Sequence, residues 1–465
     1  MRYEIRDFQL NIFVYFLISD FVSQISYFVL QTSYLKIMTF QDIFLTPIYL
    51  TLMFGLVYAL RKNATNPLTK HYYMIGFSLK VVGSIGVGLV YWFIYGGGDT
   101  FHYFNHSGIV WQALLDDPYV GMKILFSKGE YDPDTHNYVK YLEWYRDTKT
   151  FVVVKIATVF DIFSIHTYTV TALCFALVCF SGVWALYKSL VDMYPVLYKE
   201  FGRAVFFLPS VFFWGSGLLK DTLTLGAMGW AFYGFYFGII KNHKRKTNIL
   251  ILLISIWSIN AVKGYILICL IPAMGVWMVL QYRDKMKKGV FKALLIPLLI
   301  LFALPIAYVV SNSVLASLEQ VAQTAKITAE WVGREGSVYS LGEFDGTFAS
   351  VIVKFPAAVF VSLFRPFLWE ARNPVMLLSA LEALFFSFLT IQTLWRTKGN
   401  ILKTMFAHPF IIFCFTFAIL FAFEVGVTSY NFGSLVRYKI PMMPFYIAGM
   451  YILRYYGVKK YEVRS

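Results

Sequence analysis

Charged residues are scarce in this sequence. Asp, Glu, Lys and Arg make up only 14% of its 465 residues, whereas they make up about 25% of a soluble domain. Hydrophobic residues account for 58% of the chain and aromatic residues for 19%, and the mean hydropathy is +0.61. This composition excludes an ordinary soluble enzyme and indicates an integral membrane protein.

Cysteine is rare too, and no cysteine lies in a polar segment. The four cysteines are all inside apolar runs, at Cys174, Cys179, Cys269 and Cys414. This placement argues against a disulfide framework, a zinc site and a thiol nucleophile in an aqueous loop. The chain also lacks an evident internal repeat, a low-complexity tract and a proline-rich linker. We therefore expect a single integral membrane domain over residues 1–465.

Apolar runs long enough to cross a membrane recur along the chain. They lie near 10–31, 42–60, 74–96, 167–188, 222–240, 290–311, 374–395, 404–424 and 438–455. Two other regions are ambiguous: 203–216 is short, and 247–282 is too long for one span and is interrupted by "AVKGY", so we divide it at Lys263. No small-residue cleavage site follows the first run, so we expect a retained span there. The predicted fold is an all-α polytopic transmembrane helix bundle of roughly 12 spans.

The basic residues predict the orientation of this bundle, because short cytoplasmic segments of membrane proteins are enriched in Lys and Arg. With both termini in the cytoplasm, the cytoplasmic segments hold 24 Lys and Arg in short stretches such as "KNHKRK" and "QYRDKMKKG". The large loops at 97–166 and 312–373 then lie outside, and the first contains amphipathic pieces suited to the membrane interface. The net charge of +15 is thus mainly a topology signal, and nucleic-acid binding is not expected.

Five polar groups interrupt the apolar background, and this topology places all of them at the outer face. Ionisable residues near membrane depth are costly and usually face a cavity or a partner. Their convergence on one face is the main functional signal in the sequence. The groups are Asp99 with His102 and His106; Lys220 with Asp221; Lys263; Arg365 with Glu370 and Arg372; and Glu424 with Arg437 and Lys439.

The group around Asp99 allows three interpretations. Asp99 follows three glycines that let the chain turn sharply after the third span, so it is either a residue of an ordinary solvated loop or a catalytic base. His102 and His106 are four residues apart, which places both on one face of a helix, and a metal site with Asp99 is conceivable. The glutamate of an "HExxH" motif is absent, so we expect the two histidines to line a cavity.

The cations at the outer face suit an anionic ligand. Lys220 and Lys263 interrupt apolar runs, and their alternative role is to extend to the interface as ordinary flanking lysines. Arg365 and Arg437 are each followed closely by proline, and arginine offers a permanent charge and a planar fork to a phosphate. The alternative for each arginine is an ion pair with a nearby glutamate, Glu370 or Glu424.

Several cations, a carboxylate and access from the lipid together fit a polyprenyl-phosphate or polyprenyl-diphosphate ligand. Lys220, Lys263, Arg365 and Arg437 would bind the phosphate that leaves, and Asp99 would deprotonate a hydroxyl acceptor. The remaining residues of the five groups would line or support the cavity. They are His102, His106, Asp221, Glu370, Arg372, Glu424 and Lys439.

The layout resembles the GT-C superfamily of polytopic glycosyltransferases, which use sugars linked to lipid phosphates. In that family a catalytic acidic residue lies in the first large extracytoplasmic loop, and Asp99 in "GGGDTFHYF" matches this context. The ending "RYKIPMMPFYI" is similar to the final span of many bacterial members. "PSVFFWGSGLLKD" and "LFRPFLWEARNP" look like passages of related proteins of bacterial envelope polysaccharide synthesis.

The resemblance implies an undecaprenyl-phosphate-linked sugar donor, a glycan or glycolipid acceptor, and a site on the periplasmic or outer side of the inner (plasma) membrane. A divalent cation, Mg²⁺ or Mn²⁺, stays open as a cofactor. The sequence departs from the family pattern because Asp99 follows the third span and stands alone, while the pair Asp116-Asp117 lies farther from the membrane. A polysaccharide polymerase therefore stays open beside a single-sugar transferase.

Three other classes stay open as well. A transporter or lipid flippase predicts inverted repeats and polar residues at the membrane midplane. An intramembrane protease would use Ser216 in "WGSG", but no histidine lies in a credible partner span, since His166 is at a span edge. A non-catalytic assembly protein is the third class.

Overall fold

A computed structural model describes residues 40–283, 339, 341, 353–429 and 431–462, with side chains up to residue 458. The predicted spans at 10–31 and 290–311, and most of the predicted loop at 312–373, lie outside the described residues. Within the described ranges the chain is helical and has no β-strand.

Eighteen α-helices are described, and we number them in chain order. The first nine are α1 (Phe40–Ala64), α2 (Lys70–Phe93), α3 (Asp99–Asp116), α4 (Pro118–Phe126), α5 (His136–Val139), α6 (Thr148–Ser164), α7 (Tyr168–Met193), α8 (Tyr198–Phe206) and α9 (Pro209–Phe213). The others are α10 (Lys220–Phe235), α11 (Arg245–Lys263), α12 (Tyr265–Tyr282), α13 (Phe355–Phe364), α14 (Pro374–Thr397), α15 (Ile401–Ala407), α16 (Pro409–Thr428), α17 (Phe432–Tyr438) and α18 (Met443–Glu462).

Eight helices of the described chain are long and apolar enough to cross a membrane. They are α1, α2, α7, α10 with its π-helical extension to Ile240, α11, α12, α14 continued to Ala407, and α16. The chain is therefore an all-α protein with eight candidate membrane-spanning helices, which confirms the predicted class in outline. The predicted division of the apolar region 247–282 at Lys263 is also found, because α11 ends at Lys263 and α12 begins at Tyr265. The total of roughly 12 spans and the cytoplasmic termini stay predictions.

Helix α7 packs against α10 at the centre of the bundle. Glycines on both helices let the backbones approach closely, since a Cβ atom at Gly182 would lie 1.8 Å from the carbonyl oxygen of Gly226. Gly229 makes the same approach from α10, where a Cβ atom would lie 2.0 Å from the carbonyl oxygen of Gly182. Small residues at helix contacts are typical of membrane proteins, where close packing replaces the hydrophobic effect between helices.

The ambiguous region at 203–216 contains a broken helix. Helix α7 begins beside Asp99, because the Tyr168 hydroxyl lies 2.9 Å from the Thr100 hydroxyl. With 26 residues, α7 runs about 39 Å to the opposite end of the bundle. Helices α8 and α9 then bring the chain back towards the end of the bundle that holds Asp99. The helical structure is interrupted between them at 207–208, just before Pro209.

The predicted outer loop at 97–166 is itself largely helical. The first amphipathic piece belongs to α3, the second forms only the single turn α5, and residues near the end of the loop form α6. Buried Asp161 joins three helices, because its carboxylate accepts hydrogen bonds from Ser107 of α3 at 2.6 Å and from Thr171 of α7 at 2.7 Å. This anchor fixes α3, and therefore Asp99, against the bundle.

Candidate functional site

Arg437, in the short helix α17, lies at the centre of the candidate site. Its Nη2 atom donates hydrogen bonds to Asp99 Oδ2 at 3.0 Å and to Asp221 Oδ2 at 3.2 Å. Its Nη1 atom donates to the Tyr91 hydroxyl at 3.0 Å. The guanidinium thus joins residues of α2, α3 and α10 that are far apart in the sequence.

Asp221 is the buried anchor of this cluster. Its side chain is only 2% exposed, and its second oxygen, Oδ1, accepts a hydrogen bond from Lys263 Nζ at 2.5 Å. A buried carboxylate is stable only where cations and hydrogen bonds compensate for lost hydration. Asp221 meets this condition with two cations, so it fixes the positions of Lys263 and Arg437 together.

Asp99 is the exposed carboxylate of the cluster. It is the first residue of α3 and follows Gly96, Gly97 and Gly98, which have φ angles of 64°, 147° and 125°. Other residues rarely adopt such angles, so glycine is needed for this turn. The Asp99 side chain is 45% exposed, and among the described residues only Arg437 contacts its carboxylate.

Lys220 links the cluster to the long loop. Its Nζ donates a hydrogen bond to the Thr150 hydroxyl at 2.6 Å, and Asp99, Asp221 and Lys263 are all near enough to interact with its charge. Thr150 is held in turn by Asp147, which caps the start of α6. Burial raises the pKa of Asp147, but hydrogen bonds from Thr150 and Lys149 and the nearby charge of Lys220 outweigh it, and the net pKa is lowered.

Aromatic rings surround the cations. The Arg437 guanidinium lies 5.8 Å from the centre of the Trp214 ring, and Lys263 Nζ lies 4.6 Å from the centre of the Tyr438 ring. Both distances suit cation–π attraction. Tyr91 and Trp214 pack edge to face with ring centres 6.2 Å apart. Tyr91 and Trp214 are not conspicuous in the sequence, because aromatic residues are common throughout this chain.

Two further charged residues hold α9, which ends just before Trp214. Lys80 of α2 donates hydrogen bonds to the carbonyl oxygens of Val211 at 3.1 Å and Gly215 at 2.7 Å. Glu382 of α14 accepts from the Ser210 amide and hydroxyl, both at 2.8 Å. Both side chains are buried. Lys80 and Glu382 each interrupt an apolar run, which is a pattern that indicates a buried charge with a partner, but neither was selected from the sequence.

Arg365, Glu370 and Lys439 form a separate group. Arg365 binds Glu370 at two points, with Nε 3.1 Å from Oε2 and Nη2 bonded to Oε1. This is the ion pair that the sequence left open as the alternative to a phosphate site. Lys439 Nζ donates to the Arg365 carbonyl oxygen at 3.2 Å. Burial raises the pKa of Glu370, but the bonds from Arg365 and the Phe367 amide outweigh it, so the net pKa is lowered.

The contacts described for the other predicted cavity residues are with groups outside the Arg437 cluster. Arg372 is exposed and forms no described ion pair. Glu424 is half-buried and accepts a hydrogen bond from the Cys269 thiol at 3.3 Å. His102 and His106 pack against Trp144, with ring centres 5.4 and 5.3 Å away. The pKa of His106 is lowered to about 4, mainly by burial and to a smaller extent by the neighbouring His102. Glu143 has a weaker, opposing effect.

No arrangement for a metal ion occurs in the part of the chain that the structure describes, where no group of three or more His, Cys, Asp or Glu side chains converges. Asp99 and Asp221, the two carboxylates of the cluster, both contact Arg437. A divalent cation, Mg²⁺ or Mn²⁺, stays an untested prediction.

Comparison of the chain with protein-family models, with curated proteins and with solved structures finds no match. The relationship to the GT-C superfamily accordingly stays a resemblance.

The chemistry of the cluster follows from its charges. Lys220, Lys263 and Arg437 face Asp99, Asp221 and, beside Lys220, Asp147, so three cations meet three carboxylates and the charges balance. An anion entering the site would compete with exposed Asp99 for Arg437. Buried Asp221 would keep its cations. The arrangement can therefore bind an anion and release a carboxylate in the same event.

Proposed function

We propose that this protein is a membrane glycosyltransferase. It moves a sugar or a glycan from a polyprenyl-phosphate or polyprenyl-diphosphate carrier to a hydroxyl acceptor, at the extracytoplasmic face of the plasma membrane. The single observation that carries the proposal is the position of Arg437, which contacts an exposed and a buried aspartate at once. Lys220 and Lys263 lie beside it and add to the positive charge.

The proposed reaction is a single displacement that inverts the anomeric carbon. The acceptor oxygen forms the new bond to this carbon, and the bond from the carbon to the carrier phosphate breaks. The phosphate leaves with the bonding electron pair, and Arg437, Lys220 and Lys263 stabilise its charge. Asp99 accepts the proton of the acceptor hydroxyl as general base.

Binding of the donor activates the base in this mechanism. A carboxylate that accepts a hydrogen bond from a guanidinium is a poor base, because the cation stabilises its charged form. The donor phosphate takes Arg437 Nη2 from Asp99, and the exposed Asp99 side chain then turns towards the acceptor. Asp99 is 45% exposed, so it stays in contact with water when it leaves Arg437, and the phosphate takes its place as the anion beside the arginine.

Replacement of Asp99 by Asn tests this proposal. We expect formation of lipid-linked or polymeric glycan in native membranes to fall about 10²- to 10⁴-fold, as for loss of a general base. Asp116→Asn is the matched control, because Asp116 is an exposed aspartate of the same helix that contacts Gln112 and Tyr138. Wild-type product from Asp99→Asn, at equal protein in the membrane, would contradict the proposal.

A transporter or flippase for lipid-linked glycans is the second candidate. The observation that favours it is the broken helix of α8 and α9, because transporters use discontinuous helices at their binding sites. This class predicts movement of the lipid-linked glycan across liposome membranes without a new covalent bond. In that case Asp99→Asn would change flux, and no glycan product would form with the wild type either.

A further inference from the structure

A cavity of about 370 Å³ lies between α8–α9, α14 and α18, apart from the cluster around Arg437. Pockets for small ligands have volumes of about 300–1,000 Å³. Its walls are mainly hydrocarbon, and they include Phe207, Leu378, Leu381, Phe385 and Ile447. We call this cavity the α8–α14 groove.

The α8–α14 groove opens sideways, towards the region that the membrane occupies. Phe207, Leu378, Leu381 and Phe385 are 43%, 42%, 49% and 39% exposed, although three of them belong to the candidate span α14. Large apolar side chains exposed on a spanning helix face lipid chains. Along α14 the lining residues from Leu378 to Phe385 cover about 11 Å.

One cation lies at the rim of the groove. Arg203 of α8 lines the groove and is exposed, and among the described residues it forms no salt bridge. Tyr451, another lining residue, lies near enough to interact with its charge. Because α7 runs away from Asp99 and α8 begins where α7 has ended, Arg203 lies in the half of the bundle opposite to Arg437.

The one acidic residue of the groove is already engaged. Glu382 lines the groove wall, but both of its carboxylate oxygens accept hydrogen bonds from Ser210. Its charge is therefore directed at the start of α9. Among the lining residues the remaining charge is that of Arg203. Just outside the lining, Glu200 and Arg454 carry opposite charges and both act on Tyr451.

We propose that the α8–α14 groove binds one anionic phospholipid of the leaflet opposite to the Arg437 cluster. Arg203 and the Tyr451 hydroxyl hold the phosphate of the headgroup, since a guanidinium matches phosphate geometry. One acyl chain lies along Leu378, Leu381 and Phe385. Basic pockets between spanning helices recognise anionic headgroups in this way. The site does not rest on the proposed function, because it needs neither the sugar donor nor Asp99.

Native mass spectrometry of the full chain, released from nanodiscs of phosphatidylglycerol and phosphatidylcholine, tests the proposal. We expect the wild type to retain one phosphatidylglycerol. Arg203→Ala should weaken this retention about fivefold, the effect of about 1 kcal/mol per cation, and Leu381→Trp should abolish it by filling the groove. Lys199→Ala and Leu384→Trp are matched controls, because both residues are exposed on α8 and α14 and do not line the groove.

Each result decides for or against the site. Equal retention by the variants and their controls would overturn the proposal, as would equal retention of the two phospholipids by the wild type. Stronger retention of added polyprenyl phosphate than of phosphatidylglycerol would also overturn it. Thermal unfolding checks that the variants are folded, and Arg203→Ala, an exposed substitution, keeps the test valid if Leu381→Trp does not fold.

Discussion

Arg437 illustrates at the scale of one residue why the cluster needs arginine. Its Nη1 and Nη2 atoms bond to Tyr91, Asp99 and Asp221 in different directions, and its face lies beside Trp214. A lysine ammonium is a single point charge without a flat face, so it could not make these contacts together. The geometry of the fork, as well as its charge, sets the relative positions of three helices.

His106 provides a prediction about pH. Its pKa in the folded chain is about 4, against a usual 6.5, because burial disfavours the charged ring. The unfolded chain therefore binds more protons between these values, and folding stability falls as the pH drops from about 6.5 to 4. The full loss attributable to His106 is about 3 kcal/mol. We expect His106→Leu to reduce the difference in melting temperature between pH 7 and pH 5.

The control for this prediction is His136→Leu. His136 is exposed, so its replacement should leave the acid sensitivity of the protein unchanged. Thermal unfolding in detergent at the two pH values measures both variants. An unchanged acid sensitivity in His106→Leu would show that burial of this ring is not what disfavours its charged form.

Sequence analysis could select the charged residues of the cluster but not their partners. Asp99, Lys220, Lys263 and Arg437 are conspicuous because each interrupts an apolar run. Whether Arg437 bonds to Glu424 or to Asp221 depends on how the helix ends meet, which no local pattern encodes. The pairing of Arg365 with Glu370 was foreseeable as an alternative, since only five positions separate them.

At the scale of elements, α9 is a helix of five residues held by charges from two other helices. Glu382 accepts hydrogen bonds at its first turn, and Lys80 donates to carbonyl oxygens at its end. An anion at the start and a cation at the end are also what the helix dipole favours. So short a helix is not stable by itself, and its position, just before Trp214, depends on these two residues.

Ser210→Ala tests this dependence. It removes one of the two donors to buried Glu382, and a buried acceptor that loses a partner costs about 1–3 kcal/mol. We expect a lower melting temperature in detergent, and with it a loss of activity as Trp214 shifts.

Ser387→Ala is the matched control, since the Ser387 hydroxyl bonds only within α14, to the Ala383 carbonyl oxygen at 3.0 Å. Such a change should alter stability by no more than about 0.5 kcal/mol. Equal shifts for Ser210→Ala and Ser387→Ala would mean that Glu382 does not hold α9.

The long helices were predictable because apolar length alone defines them. The sequence placed a span at 42–60 where α1 covers Phe40–Ala64, and one at 374–395 where α14 covers Pro374–Thr397. The break between α8 and α9 was not predictable in detail. Its apolar run is short, and the backbone is stabilised by Lys80 and Glu382, which are remote in the sequence.

For the whole molecule, the side of the membrane that the cluster faces is a testable prediction. The enrichment of Lys and Arg in short segments predicts that the segment "KNHKRK" is cytoplasmic and the cluster is outside. Single cysteines at Asn242 and at Lys140, both exposed positions, would report this with a membrane-impermeant maleimide. We expect labelling of Lys140→Cys in intact cells, and of Asn242→Cys only after the membrane is permeabilised.

The four native cysteines are replaced by serine or alanine in both variants, and the cysteine-free chain is the control. The opposite labelling pattern would place the cluster in the cytoplasm and would remove the basis for an extracytoplasmic reaction. At this scale the sequence predicts the orientation of the bundle across the membrane, because the excess of Lys and Arg on one side is a property of short segments. It cannot predict which spans are neighbours, because the faces of nearly uniformly apolar helices look alike.

The two charges that hold α9 also have a consequence for how the protein is made. Val211 follows Lys80 by 131 residues, and Glu382 follows Ser210 by 172 residues. At a synthesis rate of about 5–20 residues per second, roughly 10–30 s pass between Ser210 and Glu382. During this interval Glu382 has not been synthesised, so no carboxylate accepts the hydrogen bonds that the Ser210 amide and hydroxyl donate at the start of α9. The break between α8 and α9 therefore reaches its final structure only after α14 has been synthesised. The fold of the first half of the chain depends on a residue of the second half.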